Sequence, residues 1–192
     1  KLAVLGLAAY FLANKINEGQ NLLKQSALEI KKILAEKYQE KYLDPLVNLL
    51  YKEDHIYVIG RGLSYPITLE TALKIKEDSY IHTEGFAAGE LKHGVIALIK
   101  KNTPVIVFAP SDETYEDIIS NAMEIKARGG LIIGISEKPN EVFNYHLPVG
   151  DCGVFTILAQ LAIGQLLAYK LTVKKGFDPD KPKNLAKSVT VK

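Results

Sequence analysis

His55-Ile56-Tyr57-Val58-Ile59-Gly60-Arg61-Gly62 runs through Leu63 into Ser64 to Gly94, SYPITLETALKIKEDSYIHTEGFAAGELKHG. The first segment is a continuous apolar run closed by a glycine turn, the pattern of a strand covered on both faces. Ser64 to about Ser79 reads as a helix, followed by a short extended piece, Tyr80 to Thr83, and a small-residue loop closing on Glu90-Leu91-Lys92-His93-Gly94. Working outward, Val105 to Phe108 and Leu131 to Ile135 are also unbroken apolar runs, and Tyr145 to Val149 is a weaker one whose proline marks an edge or a strand end. Between them lie helices at 64–79, at 113–128 closed by Gly129-Gly130, and at 154–174 closed by Gly176. Strand alternating with helix predicts an α/β fold. The expected form is a three-layer α-β-α sandwich with right-handed crossovers and a mostly parallel, flavodoxin-like sheet of about five strands. Ligands in such folds bind beyond the carboxyl ends of the strands. Gly60-Arg61-Gly62, the 84–94 loop and Ala109 to Asp112 are expected at that end.

Toward the N-terminus the pattern is helical. Residues 2–16 are expected as one helix, Gln20 to Glu40 as an amphipathic second, and Tyr42 to Leu50 as a third entered at Asp44-Pro45. The apolar run Leu2 to Ala13 is too short to span a bilayer and lacks a small-residue cleavage site, so we read it as a core-facing helix. Because the chain starts at Lys1, a C-terminal fragment of something larger is expected. Residues 1–45 are then N-terminal helices, 46–175 the main domain and 176–192 a terminal tail.

Composition narrows the function classes. With 192 residues, 47% hydrophobic and 24% charged, the chain can bury a sizeable core as a globular protein, and no membrane association is expected. A formal net charge of +2, without a basic and aromatic cluster, argues against nucleic acid. The single cysteine, Cys152, excludes an internal disulfide and suits a reducing cytoplasm, and no supporting histidine marks it as a nucleophile.

Glu70, Lys74 and Glu77, spaced four and three apart, share a helix face with Ile67 and Leu73 on either side. By pattern alone two readings stand. One is a pair of surface contacts worth a few tenths of a kcal/mol each, at about 0.2–0.5. The other is an acid–base site, since a carboxylate drawn partly out of water suits proton transfer near neutral pH. Gly60-Arg61-Gly62 lacks a third glycine, with Tyr65 in its place, so no dinucleotide or other cofactor is expected. His55 and His146 read as structural and His82 as ambiguous, while His93, between Gly89 and Gly94, is placed to approach a ligand. No set of His, Cys and carboxylate has metal-ligand spacing.

Two motifs then carry a resemblance. Tyr65-Pro66-Ile67 through Glu70, Ala72-Leu73-Lys74-Ile75-Lys76-Glu77 and Ser79-Tyr80-Ile81-His82, with Ala87-Ala88-Gly89-Glu90-Leu91-Lys92-His93-Gly94, resembles the second sugar-isomerase (SIS) domain of the glutamine–fructose-6-phosphate aminotransferase family. The tail Asn184-Leu185-Ala186-Lys187-Ser188-Val189-Thr190 is similar to that family's C-terminal end. The resemblance implies the isomerase half of an enzyme that makes glucosamine 6-phosphate from fructose 6-phosphate and glutamine-derived ammonia. It implies Glu77 as the base between C1 and C2, tuned by Glu70 and Lys74. Lys187 would meet the open-chain carbonyl, His93, which in that family can come from the same or a neighbouring subunit, would assist ring opening, and Ala186 and Lys183 would contact sugar. A homodimer, a sugar-phosphate ligand, and a glutaminase and first SIS domain elsewhere in the polypeptide follow from the same resemblance.

The departures from that family limit the expectation. No serine-rich phosphate loop or N-terminal glutaminase cysteine occurs, and Lys183 stands where the family often has arginine, which removes a bidentate fork. The chain alone is therefore expected to be a poor catalyst. The competing readings are a stand-alone sugar-phosphate sensor, which needs neither a base nor a carbonyl-reactive amine, and another phosphosugar ketose/aldose isomerase, against which the Lys187 tail argues.

Overall fold

The computed structural model describes residues 1–184. Five strands form one parallel sheet in the order β2-β1-β3-β4-β5: β1 His55–Gly60, β2 His82–Ala87, β3 Pro104–Phe108, β4 Leu131–Ser136 and β5 Tyr145–Pro148. The flavodoxin-like sandwich expected from the alternation of apolar runs and helices is the observed fold. β5 takes an edge and ends at Pro148, where a missing N–H costs no ladder bond.

The unbroken apolar runs follow from burial on both faces. Ile56, Val58, Ile106, Phe108, Ile133 and Ile135 pack against Ile67, Ile75, Ile163, Leu167 and Leu171 of the helices α5 (Ser64–Lys74, with its following turn) and α7 (Thr156–Lys174). The alternate residues Tyr57, Ile59, Val105, Val107 and Ile132 face α6 (Tyr115–Lys126) through Ile118, Ala122 and Ile125. Each buried aliphatic side chain stabilises the fold by roughly 1.5–3 kcal/mol relative to exposure. α7 is long and apolar enough to cross a membrane by composition, yet half of its length is buried here against α5, α2 and the sheet.

Three differences from the sequence expectation matter. The extended piece after α5 is not Tyr80–Thr83 but the edge strand β2, His82–Ala87, paired with β1 from His55↔His82 to Gly60↔Ala87. Glycine at position 85 suits that pairing, because a Cβ there would lie 2.9 Å from the Thr68 carbonyl oxygen. His55 and His82, the first cross-strand pair, face each other with Nδ1 atoms 3.1 Å apart. Second, α5 ends at Lys74, and Ile75–Ser79 completes it as a π turn. Third, α1 (Leu2–Leu12) is not core-facing: it has no buried residue, and Val4, Leu5, Phe11 and Leu12 are each at least 66% exposed. Its inner side meets α2 (Ile16–Leu34) and Phe155, and among the described residues nothing covers its outer face.

Between α2 and the sheet, α3 (Glu36–Tyr38), a π turn at Gln39–Leu43 and α4 (Asp44–Leu50) close the α7 side. Tyr38 donates from Oη to the Pro148 carbonyl at 3.0 Å, which ties this segment to the far edge strand. Cys152 is buried, as its neighbourhood before an apolar helix suggested, and burial, followed by the charges of Glu29 and Asp151, pushes its thiol up against the opposing Lys32.

Candidate active site

Topology decides which candidates can meet. α5 leaves the carboxyl end of β1 and runs back over the sheet, so its last turn lies at the amino end, where β2 begins. Glu77 sits in that turn, five positions before His82. His93 follows the carboxyl end of β2, as the last residue of a 3-10 segment, Ala88–His93. A strand of this length spans about 20 Å at roughly 3.3 Å per residue. Glu77 and His93 of one chain are therefore at opposite ends of the sheet.

The carboxylates and Lys74 do converge. Lys74 Nζ forms an ion pair with Glu77 Oε1 and lies 3.8 Å from Glu70 Oε1, with the three side chains between 26% and 38% exposed. That is a half-buried triad. The hydrogen bond to Glu77 is the main reason the Lys74 ammonium is held above its usual range; partial burial opposes it, and the charges of Glu77, Glu70 and Asp78 add to it. Of the flanking apolar residues, Ile67 is buried, but Leu73 is 45% exposed, so the stripe borders solvent or a partner on that side. Burial and then the Glu77 charge raise the Asp78 carboxyl, with Lys74 opposing.

The π turn and its exit place Glu77. A π turn inserts one residue per turn relative to an α-helix and recurs at functional sites. Ser79 Oγ donates to the Ile75 carbonyl at 2.7 Å and closes the turn from inside. The chain then leaves through Tyr80 in the left-handed region, φ 59°, where glycine is the usual residue. A non-glycine residue there costs of order 1–3 kcal/mol. Periodicity does not report this turn, because the residues either side keep a helical apolar pattern. Tyr80, inside the motif, is the residue against which the stem of the tail docks, a contact that sequence reasoning missed.

The tail reaches the same turn. After α7 and Gly176, the chain folds back so that the Lys183 N–H donates to Tyr80 Oη and Phe177 packs edge-on against the Tyr80 ring at 4.9 Å. Lys183, singled out as a sugar contact, holds its Nζ 4.6 Å from the Phe177 ring centre and 5.7 Å from that of Tyr80. Ala186 and Lys187 lie outside the described residues.

The carboxyl end of the sheet is built differently. A cleft of about 180 Å³ lies there, lined by Ser64, Ser111, Asp112, Glu113, Asp151 and Thr156 among others, and among the described residues no cation lines it. Arg61, from the Gly60–Gly62 turn, points away to α6, with Nη2 3.0 Å from Asp117 and Nη1 donating to Asn121 at 3.2 Å. A cleft with three carboxylates and its nearest arginine turned outward disfavours a phosphate. Among the described residues no cluster of three or more His, Cys, Asp and Glu is arranged to hold a metal ion.

Comparison with known proteins agrees with this architecture. The family model described as SIS domain matches residues 49–146. A glutamine–fructose-6-phosphate aminotransferase (isomerizing) of Agrobacterium fabrum is 42% identical over 200 residues, covering 99% of this chain and 33% of the relative, and one of Brucella abortus is 50% identical over 149 residues, covering 74% and 24%. The chain thus spans between a quarter and a third of the length of these relatives. Among solved structures, the C-terminal domain of glucosamine-fructose-6-phosphate aminotransferase from Francisella tularensis superposes with a TM-score of 0.71 at 34% identity, over 88% of this chain and 47% of that one. A glucosamine-6-phosphate deaminase from Thermotoga maritima gives 0.69 at 26% identity over 97% and 55%. With a parallel five-stranded sheet in this order and the family model matching just over half of its residues, the chain belongs to the SIS domain family.

Proposed function

We propose that this chain is the proton-transfer half of a glutamine–fructose-6-phosphate aminotransferase, with Glu77 as the base. The observation that carries the reading is the half-buried Glu77–Lys74–Glu70 triad at the amino end of the sheet, beside the point where the C-terminal tail leaves at Lys183. The similarity to aminotransferases over nearly the whole chain supports the same reading.

The chemistry follows from the groups. Opened fructose 6-phosphate presents a ketone at C2, which condenses with ammonia to an imine and releases water. A carboxylate within hydrogen-bond reach of C1 takes a proton there; the C1–H pair becomes the C1–C2 double bond, the C2–N double-bond pair moves to nitrogen, which takes up a proton, and return of a proton to C2 with loss of the C1 hydroxyl proton leaves the 2-amino aldose. Lys74 holds the Glu77 carboxylate in place and stays cationic while the sugar charge shifts. Lys187, four residues after the docked Lys183, is within chain reach of this turn and supplies the amine that meets the open-chain C2 carbonyl first, as an imine from which ammonia displaces it by exchange, so that one water is lost in all. His93 is about 20 Å away along β2, so ring opening draws on His93 of a second copy, and a homodimer completes the site. The acidic cleft at the carboxyl end supports holding the phosphate outside this domain, on a first SIS unit of the same polypeptide, with the ammonia supplied by a glutaminase. The exposed apolar side of α1 gives such units a surface to pack on, and the cytoplasm suits a free buried thiol.

The test is Glu77→Gln in the complete polypeptide that carries this chain. It should abolish formation of glucosamine 6-phosphate, lowering turnover by at least about a hundredfold as expected for loss of a general base, while fructose 6-phosphate binding by calorimetry changes little. Turnover close to wild type would remove Glu77 from the role. Steady-state turnover by residues 1–192 alone, with ammonia supplied, would contradict the need for the other units.

A further inference from the structure

We propose that Tyr80 and Phe177 form an aromatic clasp around Lys183 that sets where the C-terminal tail leaves the domain, which makes them positioning residues for the site at Glu77. The contacts come from two parts of the chain 103 positions apart: the Lys183 N–H donates to Tyr80 Oη, and Phe177 meets the Tyr80 ring at 81° with centres 4.9 Å apart. The Lys183 ammonium lies at 4.6 and 5.7 Å from the two ring centres, within the range of a cation–π contact.

Three features of the tail's stem bring it there. Gly176, φ +78°, reverses the chain at the end of α7, and the Phe177 N–H donates to the Thr172 carbonyl at 3.0 Å. The Asp178 carboxylate then accepts the Asp180 N–H at 2.9 Å, which turns the stem. Pro179 and Pro182 restrict the rest, so little backbone freedom remains between helix end and clasp. On the other side, Tyr80 occupies a left-handed position that glycine fills without strain. A tyrosine there is explained by what its side chain does, and its hydroxyl and ring are the surfaces the stem meets. Tyr80 is three residues after Glu77, so one short turn fixes both the carboxylate and the anchor. From the clasp, a fully extended chain carries Lys187 no further than about 14 Å.

The clasp stands on these contacts alone; its bearing on catalysis rests on the function proposed above, and two measurements separate them. In residues 1–192, trypsin cleavage after Lys183 is followed by mass spectrometry, with cleavage after Lys187 as the internal reference. Phe177→Leu keeps the ordinary backbone at 177 and removes one ring; Tyr80→Phe keeps both rings and removes the hydroxyl acceptor. Cleavage after Lys183 should rise about tenfold in Phe177→Leu and by less in Tyr80→Phe, with circular dichroism unchanged. Equal cleavage in wild type and both variants overturns the clasp. In the complete polypeptide, Phe177→Leu should lower kcat about tenfold with KM little changed, and Phe177→Tyr should restore it. Faster cleavage with unchanged kcat overturns the positioning role and leaves Glu77→Gln to judge the function separately.

Discussion

Gly164 is where α7 lets α5 come close, and Gly164→Ala tests how tightly the helix leading to Glu77 is held. A Cβ on Gly164 would lie 2.2 Å from Thr71 Oγ1 and 3.1 Å from both Thr71 Cβ and Cγ2. Rotating the Thr71 side chain moves the oxygen but brings no relief at Thr71 Cβ, so α5 must shift by several tenths of an ångström. Overpacking of this kind costs about 1–3 kcal/mol. Alanine in place of glycine within a helix returns about 1 kcal/mol. The expected net loss is up to about 2 kcal/mol, measured by urea unfolding at pH 7. Thr71→Ala is the partner change. Thr71 Oγ1 is buried and has no hydrogen-bond partner among the described residues, so removing it relieves a desolvation cost of about 1–3 kcal/mol, and the lost methyl group costs about 1. In the Thr71→Ala background the contacts with Oγ1 and Cγ2 are gone and only the 3.1 Å approach to Cβ remains, so Gly164→Ala should become neutral to stabilising, by up to about 1 kcal/mol. The double-mutant cycle should therefore show a coupling of about 1–2 kcal/mol between the two sites. Additive effects, or a Gly164→Ala protein more stable than wild type, would refute the close-contact argument.

Tyr38→Phe should cost about 1 kcal/mol at pH 7, because it deletes the bond to the Pro148 carbonyl. Burial, then the charges of Glu29 and Tyr42, raise the Tyr38 hydroxyl well above its ordinary value. A raised folded value means that this contribution is fully present below the unfolded pKa of about 10 and is lost as pH rises beyond it. The wild type should accordingly lose its advantage over Tyr38→Phe in alkaline unfolding curves, and a gap that widens above pH 10 would reverse the argument. Cys152, buried and with its thiol raised, should react with a disulfide reagent at pH 8 only after denaturation. Rapid labelling of the native protein would show the site to be open.

The strands were legible because a segment buried on both faces has to be apolar at every position, and Val58, Val107 and Ile133 sit in runs that meet that demand. β2 was not legible in full. It is an edge strand with exposed His82 and Glu84 and a glycine at 85, so its residues carry no continuous apolar signal, and only pairing with β1 defines its register. α1 misled for the opposite reason: an apolar run looks the same whether this chain or another surface covers it. At the site, i,i+4 and i,i+3 spacing was enough to bring Glu70, Lys74 and Glu77 together, since such contacts are set by local backbone geometry. The π turn was hidden because it is closed locally, by Ser79 Oγ on the Ile75 carbonyl, under an apolar pattern that reads as continuous helix, and the role of Tyr80 was hidden because its partner lies 103 positions away.

By itself, then, the sequence determined the layered α/β fold, the charged triad and the family resemblance, all of which rest on local spacing and burial demand. Only the tertiary structure decided that Glu77 and His93, sixteen residues apart, stand at opposite ends of the sheet. A parallel strand lies between them, and its length separates what the sequence brings near. The same structure set the tail's stem on Tyr80, a contact across 103 positions that no local pattern encodes.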